Sequence, residues 1–268
     1  MSNPIATTEM MAGDASVLKH VLEAGIVRPS KATDRPYFNF LTEGYAVEHV
    51  DGGVHFYRER EVLLHPKGEV RALVTGRVPV TAYCVYPSDR DLDWLKDRGV
   101  DINVRKNFSS LAFLYAARHI AEAFEGGDPV ALRTAYSAFL EELVRAAKLA
   151  RTDRQPWLPR ARQFLDKNGL GGVSLEEVSK AVGIHPVHLA QEFKRHYGLT
   201  VGDYIKRMKL DEARRQLGLR QRPIAKVAKQ LGYYDHAHFV KVFKGFTGIT
   251  PTEFRRVTAP LAEMLGTD

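Results

Sequence analysis

The sequence predicts an α+β chain, with a β-rich N-terminal half carrying a helix pair and an all-helical C-terminal half. Three observations lead there. Between Tyr37 and Pro87, short β-branched and aromatic runs alternate with Gly, Pro and Asp breaks. Beyond residue 107, apolar residues recur at the three-and-four spacing of amphipathic helices. Charge divides the same way. Residues 155–258 hold 19 Lys and Arg against 9 Asp and Glu, a net of +10, while the whole chain of 268 residues carries +7. A basic module joined to a mildly acidic one points to a polyanionic partner for the former alone.

The candidate strands are Phe38–Leu41, Tyr45–Val50, Val54–Tyr57, Val62–Leu64, Val70–Val74 and Val78–Tyr86. Asp51-Gly-Gly53 reads as a hairpin turn and Pro66-Lys-Gly68 as another break. Short, closely spaced strands predict a small barrel or sandwich. A helix over 107–125 follows, burying Leu111, Leu114, Tyr115 and Phe124 and stopping at Gly126-Gly127. The next, over 129–150, has a broad apolar face from Leu132 to Ala147. This pair either covers the strands or forms the seam of a homodimer. Residues 1–150 thus read as one domain, 151–159 as a Pro-containing linker, and 160–268 as the basic domain.

That basic domain contains a duplication. A shift of 49 places Val178 on Val227, Lys180 on Lys229 and Gly183 on Gly232. After Gly232 one residue is inserted, and a shift of 50 places Leu189 on Phe239, Phe193 on Phe243, Lys194 on Lys244 and Gly198 on Gly248. Each copy reads as a short helix, a glycine turn and a second helix with a basic outer face. This is the layout of a helix-turn-helix, whose second helix enters the DNA major groove. Ser174 and Glu177 form a capping box, Asp235 is a fair N-cap, and Thr250-Pro-Thr-Glu253 starts a last helix. Residues 203–217 form a stiff connecting helix.

The segments GIHPVHLAQEFKRHYGLTVGDYIKR and LGYYDHAHFVKVFKGFTGITPTEFRR resemble the DNA-binding domain of the AraC/XylS transcription regulators, over Pro159 to Val257. The resemblance implies that Val187, Ala190 and Gln191 read bases in one groove, and His236, Ala237 and Lys241 in the next. It assigns Lys194, Arg195 and Lys244 to phosphate. Many members carry arginine where Gln191 stands; glutamine favours adenine, arginine guanine. His188 and His238 read as packed or capping residues.

The N-terminal half resembles the cupin-like sensor domains of the same family, which implies a small-molecule effector. Arg71, with Tyr45 and His55, is the candidate effector set. Metal-binding cupins use a His-x-His pair, which His49, His55 and His65 do not form, and Arg71 stands where a ligand histidine is usual. No cofactor and no enzymatic activity are therefore expected, although a DNA-tethered cupin enzyme and a regulator switched by a protein partner stay open as alternatives. Cys84, the single cysteine, has no basic neighbour in sequence and reads as core. A single cysteine excludes a disulfide framework and points to a cytoplasmic location, the apolar helix pair points to a homodimer through the N-terminal domain, and RNA polymerase is a candidate partner. No apolar run approaches membrane-spanning length and no secretory leader is expected.

Overall fold

The computed structural model describes residues 5–50, 53–59, 61–108, 110–152, 155–219 and 222–265. The chain forms two compact units, residues 1–150 and 151–268.

The first unit contains strands β1 (Ile5–Ala12), β2 (Ala15–Leu22), β3 (Val27–Ala32), β4 (Tyr37–Glu43), β5 (Tyr45–Val50), β6 (Gly53–Arg58), β7 (Val62–His65), β8 (Val70–Thr75), β9 (Val80–Tyr86) and β10 (Lys106–Phe108). Its helices are α1 (Asp89–Asp97), α2 (Leu111–Glu125) and α3 (Pro129–Thr152). The strands make two antiparallel sheets, ordered β1-β2-β9-β4-β7-β10 and β3-β8-β5-β6.

Strand alternation explains why β4, Tyr-Phe-Asn-Phe-Leu, is buried at every one of its first five positions. Phe38 and Phe40 lie on the helix-covered face, where Phe38 meets Phe139 edge-on at 5.2 Å and Tyr83 meets Phe124 at 5.6 Å. Tyr37, Asn39 and Leu41 point the other way, into the space between the sheets. There Leu22, Leu41, Ala46, Tyr57, Leu63, Leu73 and Ala82 close a second core. Both faces of this sheet are covered, so period-two polarity is lost from its central strands. Pro29 in β3 is tolerated because that strand is an edge.

Three differences from the sequence expectations have local causes. Strands β1 to β3 and helix α1 fall outside the predicted elements. Residues 107–108, expected to begin a helix, extend β10 along β7, and α2 starts only after the Ser110 cap. That start puts Phe113, Ala117, Ile120, Ala121 and Phe124 inside, leaving Leu111 73% and Tyr115 61% exposed. The proposed linker is also shorter than expected: Thr152 ends α3, and the next helix begins at Trp157. Most of the Asp51-Gly-Gly53 turn lies outside the described residues.

The second unit is helical: α4 (Trp157–Asn168), α5 (Leu175–Val182), α6 (Pro186–Tyr197), α7 (Val201–Leu219), α8 (Ile224–Gln230), α9 (His236–Thr247) and α10 (Pro251–Leu265). It has two cores. Trp157, Leu158, Leu165, Val178, Leu189 and Phe193 form the first. Val227, Leu231, Phe239, Phe243 and Phe254 are buried in the second, with Phe239 and Phe243 at 5.6 Å and Phe243 and Phe254 at 5.5 Å. Helix α7 serves both. Its Tyr204 and Ile205 pack on the first core, while Leu210, Ala213 and Leu217 are buried further along.

Candidate nucleic-acid interface and inter-sheet cavity

Each repeat builds its turn from the same parts. Ser174 and Glu177 complete the capping box at the start of α5, and Gly183 ends that helix at φ 74°, in the left-handed region that side chains disfavour. Pro186 then occupies the first turn of α6, where its missing N–H costs nothing. In the second repeat Gly232 has φ 72°, and the Asp235 carboxylate accepts the His238 backbone N–H at 2.6 Å to start α9. Both second helices end at a left-handed glycine, Gly198 and Gly248.

These turns orient α6 and α9 alike. Leu189 and Phe193 of α6, and Phe239 and Phe243 of α9, are fully buried. The opposite faces are open: Val187, Gln191, Lys194 and Arg195 are exposed on α6, with Ala190 half-buried between them. On α9, His236, Ala237, Lys241 and Lys244 are all exposed. Arg195 is the exception to free display, since its guanidinium donates to Glu192 at 2.6 Å. His188 lies 5.6 Å from the Trp157 ring and His238 5.7 Å from Tyr233, so both have aromatic neighbours.

A sequence profile described as a helix-turn-helix domain matches residues 178–257. The probable transcription factor PqrA of Proteus vulgaris is 30% identical over 84 residues, which are 31% of this chain and 69% of that protein. The chain belongs to the AraC/XylS family of transcription regulators. Its similarity to other AraC/XylS relatives is confined in the same way. The bifunctional transcriptional activator/DNA repair enzyme AdaA of Bacillus subtilis (strain 168) is 28% identical over 102 residues, covering 38% of this chain and 48% of AdaA. The arabinose operon regulatory protein of Escherichia coli (strain K12) is 31% identical over 81 residues, covering 30% and 28%. The chain thus spans less than half the length of these last two proteins.

The first unit of this AraC/XylS chain has a partly open cavity of about 490 Å³ between its sheets. Strand register selects its walls. Arg28 pairs with Leu73 and Lys31 with Arg71 across β3 and β8, so all four side chains share the inward face. Leu18, His20 and Leu22 of β2, Tyr37 and Asn39 of β4, Tyr57 of β6 and Cys84 and Tyr86 of β9 complete the lining. Cys84 Sγ accepts from Asn39 at 3.0 Å, and burial pushes its thiol pKa up.

Behind Arg71 lies a buried ionic network absent from the sequence reading. Glu48 is fully buried and accepts from Arg71 Nη1 and from Arg105 at 2.7 Å. Arg105 also donates to Glu69 at 2.9 Å, and Glu69 holds His65 Nδ1 at 2.5 Å. Burial alone would raise the Glu48 carboxyl, but His65, Arg71 and Arg105 overcome it and hold its pKa at about 2. Burial lowers His65 below its ordinary value of 6.5, against the pull of the two carboxylates. Arg71, a candidate effector residue on sequence grounds, is therefore already engaged by Glu48. A signal for Glu48 was present, as a lone acid in the otherwise inward-apolar frame of β5, but Arg105 precedes β10 in a segment with no periodicity.

The other two effector candidates do not reach this cavity. Tyr45 lies on the opposite face of β5, stacked on Phe56 at 5.1 Å. Gly76 makes room for it, because a Cβ there would come within 2.2 Å of the Tyr45 ring. His55 shares the register of Glu48 but sits on edge strand β6 and is exposed. Among the described residues no three His, Cys, Asp or Glu side chains converge as a metal ligand set, and no helix is long and apolar enough to cross a membrane.

Proposed function

We propose that this chain binds double-stranded DNA through α6 and α9 and regulates transcription in response to a small effector held in the N-terminal unit. The observation that carries this reading is the paired exposure of two basic helix faces, each backed by two buried apolar anchors. Val187, Ala190, Gln191, His236, Ala237 and Lys241 are the base readers. Lys194 and Lys244 neutralise phosphate, and Arg195 does so after exchanging Glu192 for the backbone. The cavity between the sheets, with Arg71 and Tyr37 in its lining, supports the effector half of the reading. The exposed Leu111 and Tyr115 of α2 support a homodimer seam on this unit, since the apolar face of α3 is largely spent on the sheet.

Selection of duplexes from a random pool by the full chain tests this directly. Enriched sequences should contain two blocks about 10 bp apart. Replacing Lys194 and Lys244 with alanine should weaken all duplexes alike and flatten the log–log salt slope by about 0.9 for each phosphate no longer neutralised. Gln191→Ala should relax preference at one base pair by about 5- to 150-fold. Absence of salt-sensitive binding to any duplex overturns the reading.

A further inference from the structure

We infer that the turn between α8 and α9 is a DNA-backbone clamp that the first repeat lacks, in which the Tyr234 hydroxyl and the Lys209 ammonium hold one phosphate at the rim of the groove read by α9. This rests on the DNA-binding reading above and adds the contact that makes the two repeats unequal.

The duplication itself isolates Tyr234. Residues up to the turn glycine superpose at a shift of 49, and residues from the N-cap onward at a shift of 50. Ile184 follows Gly183 and packs on the first core, as Tyr233 follows Gly232 and meets Phe239 at 5.0 Å. His185 and Asp235 are the two N-caps. Tyr234 alone is left without a counterpart. It is also 95% exposed, the most open of the large apolar side chains among the described residues. A single surface aromatic needs no explanation by itself. One inserted at the turn that leads into a reading helix, with its ring in solvent, does.

Position selects the partner. His236 and Ala237 are base readers in the proposed reading, so the residue before the N-cap stands at the groove's edge, where the sugar-phosphate strand runs. A phenol can donate to a phosphate oxygen without carrying charge of its own. Asp235 beside it is committed to the His238 backbone N–H at 2.6 Å, but its negative charge repels a phosphate, so a clamp here needs a cation. Lys209 of α7 provides one. A Cβ at Gly232 would lie 3.5 Å from Lys209 Nζ, which places the ammonium at the second turn, whereas a Cβ at Gly183 would meet nothing within 4 Å. Lys209 has no carboxylate within salt-bridge distance among the described residues. The inserted hydroxyl and the lysine at the glycine thus occur together at the second turn and at neither place in the first.

The test titrates the selected duplex with the full chain across a salt series. Tyr234→Phe should weaken binding by about two- to tenfold with the salt slope unchanged, because a neutral hydrogen bond is lost. Lys209→Gln should weaken it and flatten the log–log slope by about 0.9, and Lys209→Arg should restore that slope. None of these variants should change the preferred bases, since a phosphate contact carries no sequence information. Ethylating one phosphate at a time should reveal a single position, in the block whose preference Lys241→Ala relaxes, that weakens the wild type but not the Tyr234→Phe, Lys209→Gln double variant. The Tyr234 side chain is in solvent, so its loss leaves the fold intact. The clamp is overturned if Tyr234→Phe binds as the wild type does, if Lys209→Gln keeps the full salt slope, or if either variant alters the preferred bases. Those outcomes are read in a protein that still binds duplex; a wild-type chain with no salt-sensitive binding to any duplex strikes the DNA-binding reading itself.

Discussion

Glu48 sits fully buried on β5 with an arginine on either side, and the free energy of that arrangement is set by what happens when one partner leaves. Glu48→Gln removes the negative charge but leaves Arg71 and Arg105 facing each other in a largely dry setting. Breaking such a pair from one side costs about 3–5 kcal/mol. Equilibrium denaturation of the variant at pH 7 should show a loss in that range, and a loss below about 1 kcal/mol would mean the network is hydrated. The same groups fix the acid response. Because the folded pKa of His65 lies below 6.5, the unfolded chain takes up that proton more readily, and stability starts to fall as pH drops past 6.5. Glu48 and Glu69 are held below 4.5 when folded, so their contribution is complete above 4.5 and disappears as pH falls toward the folded value of about 2 for Glu48. The variant should lose much of this lower step while keeping the upper one.

At the scale of the element, α9 is proposed to read bases, which requires a rigid start, and one side chain sets that start. Asp235 occupies the N-cap with extended backbone and satisfies the His238 N–H. Asp235→Ala should cost about 1 kcal/mol of stability in the helical unit. It should weaken DNA binding without altering which bases are preferred, because no reader is removed; a changed preference would place Asp235 itself among the readers. Such caps, with the left-handed glycines and the four-residue spacing of Leu189 and Phe193, make the helical half readable from sequence at nearly residue resolution. The β-half is less legible. β1 reads Ile-Ala-Thr-Thr-Glu-Met-Met-Ala and is exposed along most of its length, so no apolar alternation marks it. β3 hides its inward Arg28 and Lys31 in a polar edge strand interrupted by Pro29 and a bulge. The inward direction of Arg71 becomes visible only through pairing with Glu48, a partner 23 residues away in sequence. Tyr45 is misplaced by sequence reasoning because aromatic character does not say which face of a strand a ring occupies. Leu111 and Tyr115 are misplaced because the phase of α2 is set by its cap at Ser110.

At the scale of the molecule, an effector site in one unit and a DNA site in the other form a regulator only if occupancy of one changes affinity for the other. Thermodynamic linkage makes that demand quantitative. If an effector in the N-terminal unit changes DNA affinity by some factor, saturating duplex must change effector affinity by the same factor. Couplings of this kind typically amount to about 1–3 kcal/mol, or about 5- to 150-fold. The measurement is a four-cornered cycle on the full chain: duplex Kd with and without a small molecule that binds the N-terminal unit, and the Kd of that molecule with and without the selected duplex. Two equal factors different from one are expected. A factor of one on both sides leaves a DNA-binding protein and a ligand-binding cavity with no regulation between them. Unequal factors would show that protomer association enters the cycle, because a ligand that favours the dimer gains affinity by mass action as well as by direct coupling. Repeating the cycle at higher protein concentration, where association is already complete, should then bring the two factors together.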